Sequence, residues 1–263
     1  MQLCISKIIS MESRKIVLVT GGSRGLGKDM AVQLAKKGMD LIITYRGNKK
    51  GAEDTVQQVK GFGGKGIALS LDMSDLSSLD AFVSEINGTL QKEWNGNKLF
   101  GLVNNAGIGG NFPFGNVTGQ VFDEFLNIHF KGIYFLTQKL LPSFEDGGGI
   151  VNISTGTTRF VNPGYSVYAS MKGAIEVFTK YLAKELGPRG IRCNVVAPGP
   201  IETDFNSATI RNNPELKSRL SSLTPLGRVG NAEDIGGVVA FLFTEEARWV
   251  NGQRIEVSGG INV

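Results

Sequence analysis

The chain has 263 residues, 41% of them hydrophobic and 20% charged, with a net charge of +4 from 28 basic and 24 acidic side chains. That length builds one substantial core and favours a single α/β domain, while basic doublets such as Arg14-Lys15, Lys36-Lys37 and Lys49-Lys50 are scattered and form no stripe for nucleic acid. Two cysteines, Cys4 and Cys193, and a single histidine, His129, argue against a disulfide framework, a metal site and a Ser-His-Asp triad.

Residues 1–13 break their apolar positions with Lys7 and several serines. They are too short and interrupted for a membrane span or a signal-peptide core. A disordered extension is expected there, ahead of one domain over 14–263, in a cytoplasmic protein with no membrane association. Residues 15–20 (KIVLVT) predict a buried strand, followed by the turn Gly21-Gly22-Ser23-Arg24-Gly25-Leu26-Gly27 and an amphipathic helix to about residue 37. Strand, glycine turn and helix in that order let a backbone approach a pyrophosphate whose charge the free helix-start amides attract. The second strand, 40–45, ends in Tyr45 and Arg46 where a ribose-binding acid is usual. Arg46, with Arg24 from the turn, is suited to a 2′-phosphate instead.

A third strand, 66–71, runs into Asp72-Met73, whose acid can accept from adenine, and residues 75–91 predict a helix capped by Ser74 or Asp75. The fourth strand, 99–103, leads to Asn104-Asn105-Ala106-Gly107. Residues 118–141 predict one long helix bearing Asn127, with Phe122, Phe125, Leu126, Phe130, Ile133 and Phe135 for a core or a subunit face. Strands follow at 150–154, 191–196 and 254–257. The alternation predicts a doubly wound parallel α/β sheet with helices on both faces. His129 reads as a helix residue with a local hydrogen bond.

The chemistry concentrates on Tyr168 and Lys172, one helical turn apart in an apolar helical stretch that reaches about residue 187. An ammonium beside a phenol favours the phenolate, so the pair is expected to be an acid/base with a lowered tyrosine pKa. Tyr45 and Lys49 have the same spacing, but the turn signal Gly47-Asn48 lies between them.

Together these pieces resemble the short-chain dehydrogenase/reductase family over about 15–263: T-G-x-x-x-G-x-G at 20–27, Asp72, N-N-A-G at 104–107, Asn127, Tyr168 with Lys172, and Pro198-Gly199 followed by Thr203. The resemblance implies a Rossmann-type fold, a nicotinamide dinucleotide and hydride transfer at a carbonyl or alcohol carbon. By it Tyr168 exchanges the proton, Lys172 also holds the nicotinamide ribose, and Asn127 supports a water leading to Lys172. Asn105 lies by the adenosine ribose, with Ala106 and Gly107 beside it. Pro198, Gly199, Ile201 and Thr203 hold the carboxamide side.

The family's catalytic serine falls thirteen residues before the tyrosine, on Thr155, with Ser154 beside it. Thr155 keeps the hydroxyl and is favoured; Ser154 stays open as a helper. The polar stretch 204–224 corresponds to the substrate lid, and Phe112, Phe114, Phe160 and Phe205 are candidates for an apolar mouth. The expectation is an NADP(H)-preferring enzyme, with NAD(H) possible, acting on a small carbonyl or alcohol. A homotetramer or dimer is expected, with no metal. The rivals are a 3-oxoacyl-acyl-carrier-protein reductase and a non-catalytic dinucleotide-binding regulator. Against the first, the docking arginine of those reductases falls on Asp146, in a loop read as 142–147, although Arg189 matches a second one.

Overall fold

The computed structural model describes residues 14–263, so the expected N-terminal extension lies outside the described residues. Apolar runs and amphipathic segments alternate as β1 (Ile16–Val19), α1 (Gly25–Lys36), β2 (Asp40–Tyr45), α2 (Lys49–Gly61), β3 (Gly66–Ser70), α3 (Leu79–Trp94) and β4 (Leu99–Asn104). They continue as α4 (Gly119–Leu126), α5 (Gly132–Leu140), β5 (Phe144–Ile153), α6 (Ser166–Glu185) and β6 (Arg192–Pro198). The last elements are α7 (Phe205–Asn212), α8 (Pro214–Ser222), α9 (Glu233–Phe241) and β7 (Arg254–Val257).

The strands form one seven-stranded sheet in the order β3-β2-β1-β4-β5-β6-β7, every pair parallel. Helices cover both faces, which is why the strands read as nearly continuous apolar runs. Ile16, Leu18 and Ile42 pack with Ile86, Leu136 and Ile175 on one side. Val17, Val19, Leu41 and Ile43 pack with Met30, Leu34, Val56 and Val239 on the other. Among the described residues no helix is long and apolar enough to cross a membrane.

Three details depart from the sequence reading. β5 begins at Phe144, not at 150, so most of the stretch read as a loop at 142–147 is strand. Phe144 is fully buried opposite Leu99, and the register then slips between Leu99 and Gly101. The polar Glu145-Asp146-Gly147 hid that strand.

The single helix expected over 118–141 is divided by a π turn at Asn127–Lys131, where the Gly132 amide donates to the Asn127 carbonyl. A side chain at Gly132 would sit 2.8 Å from both that oxygen and the Met73 carbonyl, so the extra residue lets the helix pass the end of β3 closely. Its apolar residues also divide, with Phe125 and Ile133 in the core and Phe122 and Phe135 exposed. Finally, the lid stretch forms α7 and α8, and Asn206, Ser207 and Ala208 take left-handed backbone angles near φ 55.

Candidate active site

β1 has β2 on one side and β4 on the other, so the chain's crossovers leave in opposite directions there and open a crevice at the strands' carboxyl ends. That cleft encloses about 930 Å³. Its floor is the glycine turn. Gly21 and Gly25 have φ of +69 and +54, and a Cβ on Gly22 would lie 2.7 Å from Ile43 Cβ. A Cβ on Gly27 would collide with the Gly21 carbonyl. The turn is also tied from β4. Thr20 Oγ1 accepts from the Asn105 and Ala106 amides at 2.9 and 3.0 Å, and Asn105 Nδ2 donates to the Thr20 and Gly21 carbonyls at 2.9 and 3.2 Å. Thr20, which the sequence reading gave only as the start of the motif, thus holds the glycine turn to the end of β4, and the side chain of Asn105 is spent on the same task.

Tyr168 and Lys172 stand in the opposite wall, one turn apart near the start of α6, as expected. Lys172 is 3% exposed and donates to the Ile153 carbonyl at 2.7 Å. Burial pulls its ammonium down to about 8. The phenol moves the other way from expectation: burial pushes Tyr168 up to about 12, opposed by the Thr155 side chain and with Tyr165 adding to the rise. The lysine does not offset this, because it is turned to the Ile153 carbonyl with Nζ 5.8 Å from the phenol ring centroid. At neutral pH the phenol therefore holds its proton.

The two adjacent hydroxyls separate cleanly. Thr155 faces the phenol closely enough to favour its charged form, and its Oγ1 accepts from the Thr157 amide at 3.3 Å. Ser154 Oγ, 2% exposed, donates to Glu176 at 2.6 Å. The same Glu176 oxygen accepts from Thr158 at 2.7 Å and from Arg254 at 2.8 Å, and Arg254 Nη2 donates to the Thr155 carbonyl at 3.2 Å. Glu176 and Arg254, both missed by sequence reasoning, brace the loop that carries Thr155. No short spacing joins them, since β7 and α6 meet only in the folded chain.

The remaining dinucleotide candidates line the same cleft: Ser23, Arg24, Leu26, Tyr45, Arg46, Asp72, Met73, Gly107, Pro198, Gly199, Ile201 and Thr203. Asp72 is partly engaged, its Oδ1 accepting from the Ser74 amide at 2.9 Å and hydroxyl at 2.7 Å. Burial opposes its charge, but the Ser74 bonds and the Arg46 cation hold the carboxyl below the usual range. Arg46 lies 3.7 Å from it in an exposed pair. Tyr45 ends β2 and Lys49 opens α2, with the Gly47-Asn48 turn between them, so this second pair shares no helix.

Three candidates lie elsewhere. Phe114 is 85% exposed and outside the cleft, and Phe112 packs edge-on against Phe125 behind it, whereas Phe160 and Phe205 line it. Asn127 is not among the lining residues either; its carbonyl closes the π turn. His129, two positions on, is fully buried in the cleft wall with its ring 5.2 Å from that of Tyr168. The π turn breaks the helical periodicity that would have shown which residue faces inward.

A family model described as enoyl-(acyl carrier protein) reductase matches residues 21–262. The chain belongs to the short-chain dehydrogenase/reductase family. Within this family of oxidoreductases it is 34% identical over 253 residues to a 3-oxoacyl-[acyl-carrier-protein] reductase of Staphylococcus aureus, covering 95% of this chain and 99% of that one. Two solved reductases superimpose with a TM-score of 0.89 each. The promiscuous reductase LugOII, which catalyses keto-reduction at C1 during lugdunomycin biosynthesis, is 34% identical and covers 95% of this chain and 98% of its own. The angucycline C-6 ketoreductase LanV, solved with bound NADP, is 33% identical and covers 94% and 95%.

Proposed function

We propose that this short-chain reductase is an NADP(H)-preferring ketoreductase in which Tyr168 is the acid. The observation that carries the reading is the Tyr168 phenol in the cleft wall, lined also by Thr155 and one turn from the buried Lys172. The glycine cradle fits a dinucleotide: a Cβ would fill it at Gly22 and Gly27, and α1 begins with no side-chain cap on its amides. The turn residues Gly21 to Gly27 hold the pyrophosphate, Lys172 the nicotinamide ribose, and Pro198 to Thr203 the carboxamide side. What such a cofactor supplies when bound is a hydride for the carbonyl carbon.

The side chains do the rest. Thr155 and Tyr168 hydroxyls converge on the substrate oxygen, polarising it as negative charge develops. Tyr168 then gives its proton to that oxygen, and the Lys172 cation stabilises the phenolate left behind. A phenol pushed up to about 12 is protonated at neutral pH and so carries the proton that reduction consumes.

Arg24 and Arg46 support NADP(H) over NAD(H). Both are exposed on the cleft wall, and the end of β2 carries Tyr45, with no acid to repel a 2′-phosphate. The exposed pair with Asp72 is weak. Swinging Arg46 to a phosphate is worth about 1.5–3 kcal/mol, roughly ten- to hundredfold in specificity.

The substrate is best read as a free, largely apolar ketone. Phe160, Phe205, Ile210, Leu220 and Leu223 give the outer cleft an apolar wall. The match to an acyl-carrier-protein reductase keeps that rival open, but the docking cations it needs are not free. Arg189 donates to Asp146 at 2.8 Å and to the Leu141 and Phe144 carbonyls at 3.0 and 2.7 Å, fastening the end of α6 to the start of β5. An intact acid/base group argues against the regulator, which needs no proton donor.

Comparing kcat/KM for one acyl group, free and carrier-bound, at two ionic strengths tests the substrate reading. Better activity on the free ketone is expected. A large carrier advantage that shrinks with salt overturns it.

A further inference from the structure

Among the described residues, His129 is the one buried titratable group of the cleft that the proposed chemistry leaves unused. It lines the cleft, fully buried, in contact with the rings of Phe125 and Tyr168 at 5.4 and 5.2 Å. A Cβ on Gly107 would lie 2.7 Å from its Cε1, so the ring is also pressed against the strand-end loop. Its Nε2 lies 2.9 Å from the Ile108 carbonyl oxygen. That oxygen has no proton to give, so Nε2 must carry the hydrogen, and the Ile108 amide at 3.3 Å from the same nitrogen is a close neighbour only. Nδ1 is then an acceptor, and it has no partner among the described residues. A buried acceptor of this kind calls for a donor.

The neighbouring charge is Lys172, whose cation acts on His129 and, after burial, helps to hold the imidazole well below its usual range. The other titratable groups at hand are Tyr168, which the ring touches, and Tyr165 beside it. The imidazole is therefore neutral and its lone pair available. Lys172 has three donors, and its hydrogen bond within the protein, to the Ile153 carbonyl, uses one. We propose that His129 is a positioning residue of the Tyr168–Lys172 pair: its Nδ1 accepts a hydrogen bond from one water that in turn accepts from the Lys172 ammonium, and so aims that cation and opposes the loss of its proton. The proposal rests on the reading of Tyr168 as the acid. It extends that reading to a histidine whose two nitrogens have separate tasks, Nε2 anchoring Ile108 and Nδ1 serving the lysine.

Two amide substitutions divide those tasks. His129→Asn places an oxygen where Nδ1 stands but does not reach the Ile108 carbonyl. His129→Gln reaches that carbonyl and leaves nothing at the Nδ1 place. If Nδ1 matters, His129→Asn keeps kcat within about threefold, whereas His129→Gln loses about ten- to hundredfold, the worth of one hydrogen bond to a charged group.

In His129→Gln the alkaline limb of the kcat/KM profile should also move to lower pH, because Lys172 loses an acceptor that favours its charged form. NADPH affinity is expected to stay near that of the unaltered protein in both variants, whereas Tm should fall more in His129→Asn, which gives up the Ile108 anchor. Wild-type kcat and an unmoved limb in His129→Gln overturn the proposal. So does the reverse ranking, or an equal loss in both with a lowered Tm, since either makes the ring a wall and an anchor only. Tyr168→Phe is run alongside. If it retains turnover, the reading beneath the proposal has failed and the proposal falls with it; if it is inactive, the His129 result stands alone.

Discussion

Thr155 and Ser154 show what one residue of displacement does at the end of a strand. Successive side chains leave on opposite sides, so Thr155 meets the phenol while Ser154 meets Glu176. Thr155→Ala is therefore expected to lower kcat by about a hundredfold, as for loss of one donor to a developing oxyanion. Ser154→Ala should leave kcat within a few fold and instead lower stability by about 1–2 kcal/mol, because it strips a buried carboxylate of one hydrogen bond. Steady-state rates and urea melts on the two variants check this, and a crippled but stable Ser154→Ala contradicts it. The Tyr168–Lys172 pair was legible because four-residue spacing on a helix is a geometric fact. The direction of its pKa shifts was not, since it depends on burial and on where the ammonium turns, which spacing does not encode. The surroundings of Asn127 were not legible either, because the turn that it opens is a π turn that no local pattern announced.

Among the elements, the glycine turn was the most legible, because strand, turn and helix are contiguous in sequence. What the sequence left out was its fastening to β4 through Thr20 and Asn105, a contact between segments more than eighty residues apart. Gly27→Ala should be severe, since the added carbon collides with a backbone carbonyl that cannot yield without moving the turn. NADPH binding by fluorescence titration is expected to weaken at least tenfold, about 1.4 kcal/mol; unchanged affinity in a folded variant would show that the turn does not carry the pyrophosphate. The lid is the opposite case. Its composition named a polar segment, but α7 and α8 and the three left-handed residues at 206–208 come from packing over the cleft, where Phe205 lies 6.3 Å from the Tyr168 ring and Asn206 donates to Tyr165 at 3.2 Å. Non-glycine residues in that region each cost about 1–2 kcal/mol. Ala208→Gly is accordingly expected to raise Tm and to lower KM for the ketone, and a fall in Tm counts against the observed turn.

At the scale of the whole molecule, the doubly wound sheet followed from strand and helix alternation, while strand order and the crevice between β1 and β4 needed the fold. The exposed Tyr181 and Val177 on α6, Phe135 on α5 and Trp249 before β7 are apolar faces open to the homotetramer or dimer that the family resemblance implies, which light scattering tests; a monomer at working concentration contradicts that expectation. The acid/base group also sets the pH response. Reduction needs Tyr168 protonated and Lys172 charged, so kcat/KM should be level below about 8 and fall above it as the lysine loses its proton, well before the phenol at about 12 titrates. The central claim is that Tyr168 supplies the proton, and single-turnover reduction by Tyr168→Phe with NADPH prebound tests it most directly. The ring and its packing survive the change, so NADPH should bind as before while the rate of ketone reduction falls by at least about a thousandfold. A variant that binds NADPH and reduces the ketone within tenfold of the unaltered enzyme would contradict the account.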